Sequence, residues 1–116
     1  MTQEYIKGDI VMYDNRIHTI MDTLELNNYE LSYIRHQVNQ LELSGVSLTT
    51  EILEKNGWEK LYEKFFEKNV NNIRLTIELS ENIYVAINRI FIMEIYYVHE
   101  LQHLLFGLGL NSEMEV

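Results

Sequence analysis

Hydrophobic and polar positions alternate through the first third of the chain. After Gly8-Asp9 comes an apolar run, Ile10-Val11-Met12-Tyr13, and then Asp14-Asn15, a pair that tolerates positive φ and so predicts a turn. Ile17, Thr19 and Met21 alternate with Arg16, His18, Ile20 and Asp22, and Asn27-Asn28 supplies a second turn. Tyr29, Leu31 and Tyr33 then alternate with Glu30, Ser32 and Ile34. The pattern predicts a small antiparallel meander, with a curled SH3-like sheet as one form of it, closed by Ser44-Gly45.

A different period follows. Thr49 is placed as a helix N-cap, with Leu48 set to staple against Leu53 and Glu51 near the positive helix end; Asn56-Gly57 stops the helix after about two turns. Trp58, Leu61, Tyr62, Phe65 and Phe66 recur at helical spacing and predict a second helix. Their aromatic character and the shortness of the run leave a strand open. Asn69 to Asn72 reads as a loop. Leu75, Ile77 and Leu79 make a strand, Ser80-Glu81-Asn82 a turn, and Ile83, Val85 and Ile87 its hairpin partner.

The last helix is expected from about Met93 to Phe106, ending at Gly107 or Gly109. Tyr97, Val98, Leu101, Leu104, Leu105 and Leu108 form its core stripe. Ile95, Tyr96, His99, His103 and Phe106 form a second, partly aromatic face, suited to docking a partner or a second copy, or to burial beneath the N-terminal sheet. Glu113 to Val116 adds a short edge strand. The elements together make an α+β protein in one domain, residues 1–116: a small antiparallel sheet, built of the meander and the later hairpin, packed with two or three helices of which the C-terminal one is long.

Composition narrows the function. A chain of 116 residues with 47% hydrophobic and 23% charged positions is ordinary for a soluble domain with one core. Its net charge of −9 argues against nucleic acid as the main partner, because phosphate binding needs a positive footprint. Lys55, Lys60, Lys64 and Lys68 each follow a glutamate and are locally neutralised. Acidity of this kind serves solubility, or the engagement of a basic protein patch or mimicry of DNA. The absence of cysteine suits a reducing cytosol. Met1 to Tyr5 has no basic or apolar leader pattern, and Ile90 to Leu110 is interrupted by Glu94, His99, Glu100, Gln102 and His103, so neither a signal peptide nor a membrane span is expected. The expected compartment is the cytoplasm.

One motif carries candidate chemistry. His99-Glu100-Leu101-Gln102-His103 matches the H-E-x-x-H of zinc peptidases, in which two histidines one helical turn apart hold the metal and the glutamate acts as general base. The extended pattern would need Gly at 106 and His at 109, where this chain has Phe106 and Gly109. The thirteen residues after His103 leave little room for a helix bearing a third ligand, and His18 or His36 would fit neither common pattern. A single small domain also has little material left for a substrate cleft. The expectation is two histidines on a helix face, with no metal and no cofactor. Glycines 8, 45, 57, 107 and 109 form no phosphate loop, and the serines form no nucleophile elbow. Eight tyrosines, with Trp58, Arg16, Arg35, Arg74 and Arg89, are residues that can line a pocket for a nucleobase or another flat ligand.

Three stretches carry a resemblance: the Gly8-Asp9-Ile10-Val11 opening, "SLTTEILEKNGW" (47–58) and "YYVHELQHLLFGLGLNSEMEV" (96–116). In these the chain resembles a family of short uncharacterised proteins of gut bacteria and their prophages or phages. The resemblance implies no activity. It implies that Glu100 and His103 are peculiar to this chain, since that family's helix more often has Asn in place of His103 and lacks the glutamate. It also implies a strand after Asn56-Gly57-Trp58, in competition with the helix read there.

The function expected is that of a small, non-enzymatic, mobile-element protein that acts by binding. Its target is a host protein, such as a defence component, or a small nucleotide-like signal that it sequesters. The alternatives are a minimal zinc peptidase, with His99 and His103 as ligands and Glu100 as base, and a structural homo-oligomer built on the aromatic face of the last helix.

Overall fold

A computed structural model describes residues 4–116; Met1 to Gln3, on which the expectation of no leader partly rests, lie outside the described residues. The first sheet holds β1 (Ile10–Tyr13), β2 (Arg16–Thr23), β3 (Asn28–Leu31), β4 (Val38–Asn39) and β5 (Ser44–Gly45). They lie in the order β4-β3-β2-β1-β5, with every pairing antiparallel. Asp14 and Asn15 both take positive φ, 50° and 61°, the geometry that matches a tight hairpin to strand twist. Ser44-Gly45 does not end the sheet but extends it, as the edge strand beside β1. Tyr33, read as strand, stands at φ 63° beyond the end of β3 and is almost fully exposed.

The short helix forms as expected. In α1 (Thr50–Lys55) the Thr49 hydroxyl accepts from the Ile52 N–H at 3.3 Å, and Gly57 follows at φ 85°. The second expected helix does not form. Residues 59–70 are β6 (Glu59–Tyr62) and β7 (Phe65–Val70), turned at Glu63 with φ 43°. The 58-61-62-65-66 stripe satisfies a helix locally, but Phe66 lies opposite Ile77 in the sheet and both are buried, while Leu61 and Tyr62 are 45% and 61% exposed. Cross-strand burial outweighs the local period.

β7 continues through the loop read at 69–72, which shrinks to the two-residue turn Asn71-Asn72 before β8 (Ile73–Leu79). β9 (Ile83–Ile87) pairs with β8 as the alternation predicts. β10 (Ile90–Ile95) then replaces the start of the expected long helix, because Asn88 and Arg89 turn the chain back at φ 50° and 71°. The second sheet is therefore a five-stranded meander, β10-β9-β8-β7-β6. The C-terminal helix, α2 (Val98–Gly107), is five residues shorter at its start than the sequence period indicates. Residues 113–116 form no strand; Asn56 holds them through Glu115, whose N–H donates to its Oδ1 at 2.9 Å and whose carbonyl accepts from its Nδ2 at 2.8 Å. The whole is α+β.

The two sheets meet where the chain leaves β5 and β10. Val98 N–H donates to the Val46 carbonyl at 2.8 Å and Leu48 N–H to the Tyr96 carbonyl at 3.3 Å. α2 starts at this junction. Val98, Leu101 and Leu105 join Trp58, Phe66, Leu75, Ile77 and Val85 in the larger core, and a smaller core of Tyr5, Val11, Ile20, Tyr29, Leu31 and Val38 lies in the first sheet. No helix among the described residues is long and apolar enough to cross a membrane.

Candidate functional site

The second face expected on the last helix is not one surface. Ile95 is fully buried at the end of β10, Tyr96 is exposed in the link and hydrogen-bonded through its hydroxyl to Glu94 at 2.7 Å, and Phe106 is exposed at the far end of α2. His99 is 8% exposed, stacked parallel to Tyr97 at 5.7 Å and met edge-on by Tyr5 at 4.9 Å. His103 reaches the opposite sheet, where its Nε2 lies 2.7 Å from the buried Asp9 Oδ2. Thus the structure brings together His99 and His103, 5.7 Å apart between ring centres, and separates them from Ile95 and Phe106.

The elements of H-E-x-x-H have other occupations. Glu100 Oε1 accepts from the backbone N–H groups of Tyr96 at 2.8 Å and Tyr97 at 3.0 Å, so its carboxylate closes the first turn of α2. Asp9 also accepts from the Ile6 N–H at 2.9 Å. Burial pushes the Asp9 carboxyl above the usual range, and the Ile6 and His103 hydrogen bonds pull it partly back. Burial likewise drives the Tyr5 hydroxyl up to about 12, aided by the charge of Glu4. Among the described residues, no three His, Asp or Glu side chains are arranged to hold a metal ion. A cleft of about 500 Å³ opens beside this cluster, lined by Glu4, Tyr5, Ser44, Gly45, Tyr97, Glu100 and the two histidines. Gly45 is required there, because a Cβ would lie 2.4 Å from the Tyr97 ring.

Nδ1 of His99 is buried with no hydrogen-bond partner among the described residues. Burial lowers the pKa of this ring below 6.5, against the opposing charges of Asp9 and Glu100 and with that of His103. A lowered folded-state value means that the unfolded chain binds the proton more tightly. The neutral ring's contribution is therefore present above pH 6.5 and is lost as pH falls through the folded value. Thermal melts should show the protein losing stability below that pH, and His99→Phe should flatten that slope. An unchanged slope in His99→Phe would place the effect elsewhere.

The more open arrangement lies on the outer face of the second sheet. Val85, Ile77 and Phe66 point inward, so Tyr84 and Ala86 of β9, Arg74, Thr76 and Glu78 of β8, and Phe65 and Glu67 of β7 point outward. Thr76 lies opposite Ala86, which in turn lies opposite Phe91 of β10. Two small side chains thus form a floor between two aromatic pairs, bordered by Glu67, opposite Thr76, and by Glu78, between Phe65 and Tyr84. Tyr62 and Phe65 stand on one side with ring centres 5.0 Å apart, and Tyr84 and Phe91 on the other at 5.7 Å. From β7 to β10 is three strand spacings, about 14 Å. The hollows here, about 330 and 240 Å³, share Phe65, Thr76, Ala86 and Arg89.

Of the aromatic and arginine residues picked out in the sequence, this face gathers Tyr62, Tyr84, Arg74 and Arg89. It leaves Trp58 in the core, and Arg16 and Arg35 lie outside it. Phe65 and Phe91 were not legible as site residues, one being read into a helix and the other falling between elements. The alternating outward positions Arg74-Thr76-Glu78 and Tyr84-Ala86-Asn88 were the available signal. Compared with protein-family models, curated proteins and solved structures, the chain matches none.

Proposed function

We propose that this is a non-enzymatic binding protein of the cytoplasm, of mobile-element type, that sequesters a small, flat, nucleotide-like ligand on the outer face of its second sheet. The observation that carries the reading is the half-buried Thr76–Ala86 floor, walled by the Tyr62–Phe65 and Tyr84–Phe91 pairs and bordered by Glu67 and Glu78, with Arg89 at its end. A ring stacked on such side chains gains about 1–3 kcal/mol. The engagement of Glu100 by the helix start and of His103 by Asp9 favours binding over peptidase chemistry. Titration of the labelled protein with nucleosides and nucleotides should move the amide signals of Thr76, Tyr84, Ala86 and Phe91, and Phe91→Ala should weaken binding about tenfold. No saturable binding, or shifts confined to the cleft at His99, would retire this reading.

A second reading, self-association, is favoured by β10. Ile90 to Met93 are four consecutive exposed apolar residues on an edge strand. They carry no charge in a chain of −9, so two copies can meet there, strand against antiparallel strand, with the least like-charge repulsion. Sedimentation should then show a dimer that Ile92→Lys converts to monomer. A monomer at high concentration sinks it.

A further inference from the structure

We infer that the end of this groove is a phosphate subsite and that the ligand is a free nucleoside 5′-phosphate, its ring on the Thr76–Ala86 floor and its phosphate between Arg74 and Arg89. The inference rests on the binding reading above and adds the ligand's charge to it.

A separate hollow of about 440 Å³ lies at this end of the sheet, lined by Asn69, Asn71, Asn72, Arg74, Asn88 and Arg89. The chain holds 18 acidic and 9 basic residues, yet this lining contains two guanidinium groups, four amides and no carboxylate. The lining itself is thus cationic, with one carboxylate at its border, Glu67, which accepts from the Asn69 amide at 3.0 Å. Planar guanidinium forks and amide N–H groups are the donors that a phosphate's oxygens take up.

The corner is built by two hairpin turns that are distant in sequence and adjacent in the sheet, Asn71-Asn72 after β7 and Asn88-Arg89 after β9. They are tied together: Arg74 N–H donates to Asn88 Oδ1 at 2.9 Å, and Asn88 N–H to the Arg74 carbonyl at 2.8 Å. Arg89 sits at φ 71°, where glycine is the unstrained residue, and has no ion pair among the described residues. A strained position that nonetheless holds an unpaired arginine points to a use for the side chain. Arg74 has only a loose partner, Glu67 at 3.7 Å. Both arginines also line the aromatic hollow, together with Glu67, so ring floor and cationic corner are continuous. A polymer is disfavoured, because the net charge of −9 repels a long run of phosphates beyond a two-arginine corner.

The test is calorimetric titration at low salt with the four common nucleosides, their 5′-monophosphates, pyrophosphate and a short single-stranded oligonucleotide. It uses the intact protein, Arg89→Gly and Phe91→Ala. Arg89→Gly relieves the positive-φ strain and so keeps the fold. The expected result is a monophosphate bound at least tenfold more tightly than its nucleoside, a ratio that falls toward one in Arg89→Gly; because Arg89 also lines the ring's hollow, the ratio and not the nucleoside's own affinity is the readout. Phe91→Ala should weaken nucleoside and nucleotide alike. Equal affinity for nucleoside and nucleotide overturns the phosphate subsite and leaves the flat-ligand reading standing. Pyrophosphate binding without any nucleoside or nucleotide binding overturns the groove instead, and with it the nucleotide. An oligonucleotide that outcompetes every monophosphate overturns the free nucleotide, and no binding by any probe overturns both readings.

Discussion

Replacing Gln102 by leucine should lower stability by about 2–3 kcal/mol, because the buried Ile10 N–H and two part-buried carbonyls, those of Gly8 and Ser112, lose their partner at once. Gln102 is 3% exposed on α2 and works in both directions. Its Oε1 accepts from the Ile10 N–H at 2.9 Å, and its Nε2 donates to the carbonyls of Gly8 at 2.9 Å and Ser112 at 3.1 Å. One amide thereby ties the entry of β1 and the C-terminal tail to α2. Leucine matches the volume and restores none of these bonds, so the loss is that of unsatisfied polar groups and not of packing. Gln102→Glu keeps the acceptor toward Ile10 but removes both donated bonds and introduces a buried charge, and it should be no milder at neutral pH. Urea unfolding read by far-UV circular dichroism gives the difference directly. A loss below about 1 kcal/mol would mean that water replaces the amide and that the junction is looser than its hydrogen bonds indicate.

The second large effect separates strand from helix at residues 58–66. Phe66→Ala should be destabilising by about 3–5 kcal/mol, since the ring is 1% exposed and packs within the main core. Leu61→Ala and Tyr62→Ala should each change stability by less than about 1 kcal/mol, because both side chains are exposed on the edge strand β6. A helix that buried the 58-61-62-65-66 stripe would make all three substitutions comparably severe. Similar losses at 61, 62 and 66 would refute the two-strand arrangement.

These two predictions share a cause. Gln102 is decisive through Gly8 and Ile10, more than ninety positions away, and Phe66 through Ile77 on the neighbouring strand, a partner outside any helical period. The same holds for the histidines. H-E-x-x-H is a local spelling, but the partner of His103 is Asp9, ninety-four positions away, and no spacing rule within the helix announces it. The phosphate corner is equally non-local, since only sheet pairing puts the Asn71-Asn72 turn beside the Asn88-Arg89 turn.

What the chain determined by itself was whatever neighbouring residues can decide. The cap at Thr49, the stop at Asn56-Gly57, the turn at Asp14-Asn15 and the alternation of 75-77-79 against 83-85-87 follow from φ preferences, short-range hydrogen bonds and the two-residue period, and all appear in the folded protein. The acidic balance and the ring- and arginine-rich residues were legible too. Tertiary structure decided that 59–62, 65–70 and 90–95 are strands, that His99 is buried, and that Phe65, Phe91, Arg74 and Arg89 share one face. The physical reason is that a stretch with two acceptable local periods adopts the one whose side chains find a buried partner across the sheet, and that partner lies outside the stretch itself, on the neighbouring hairpin strand.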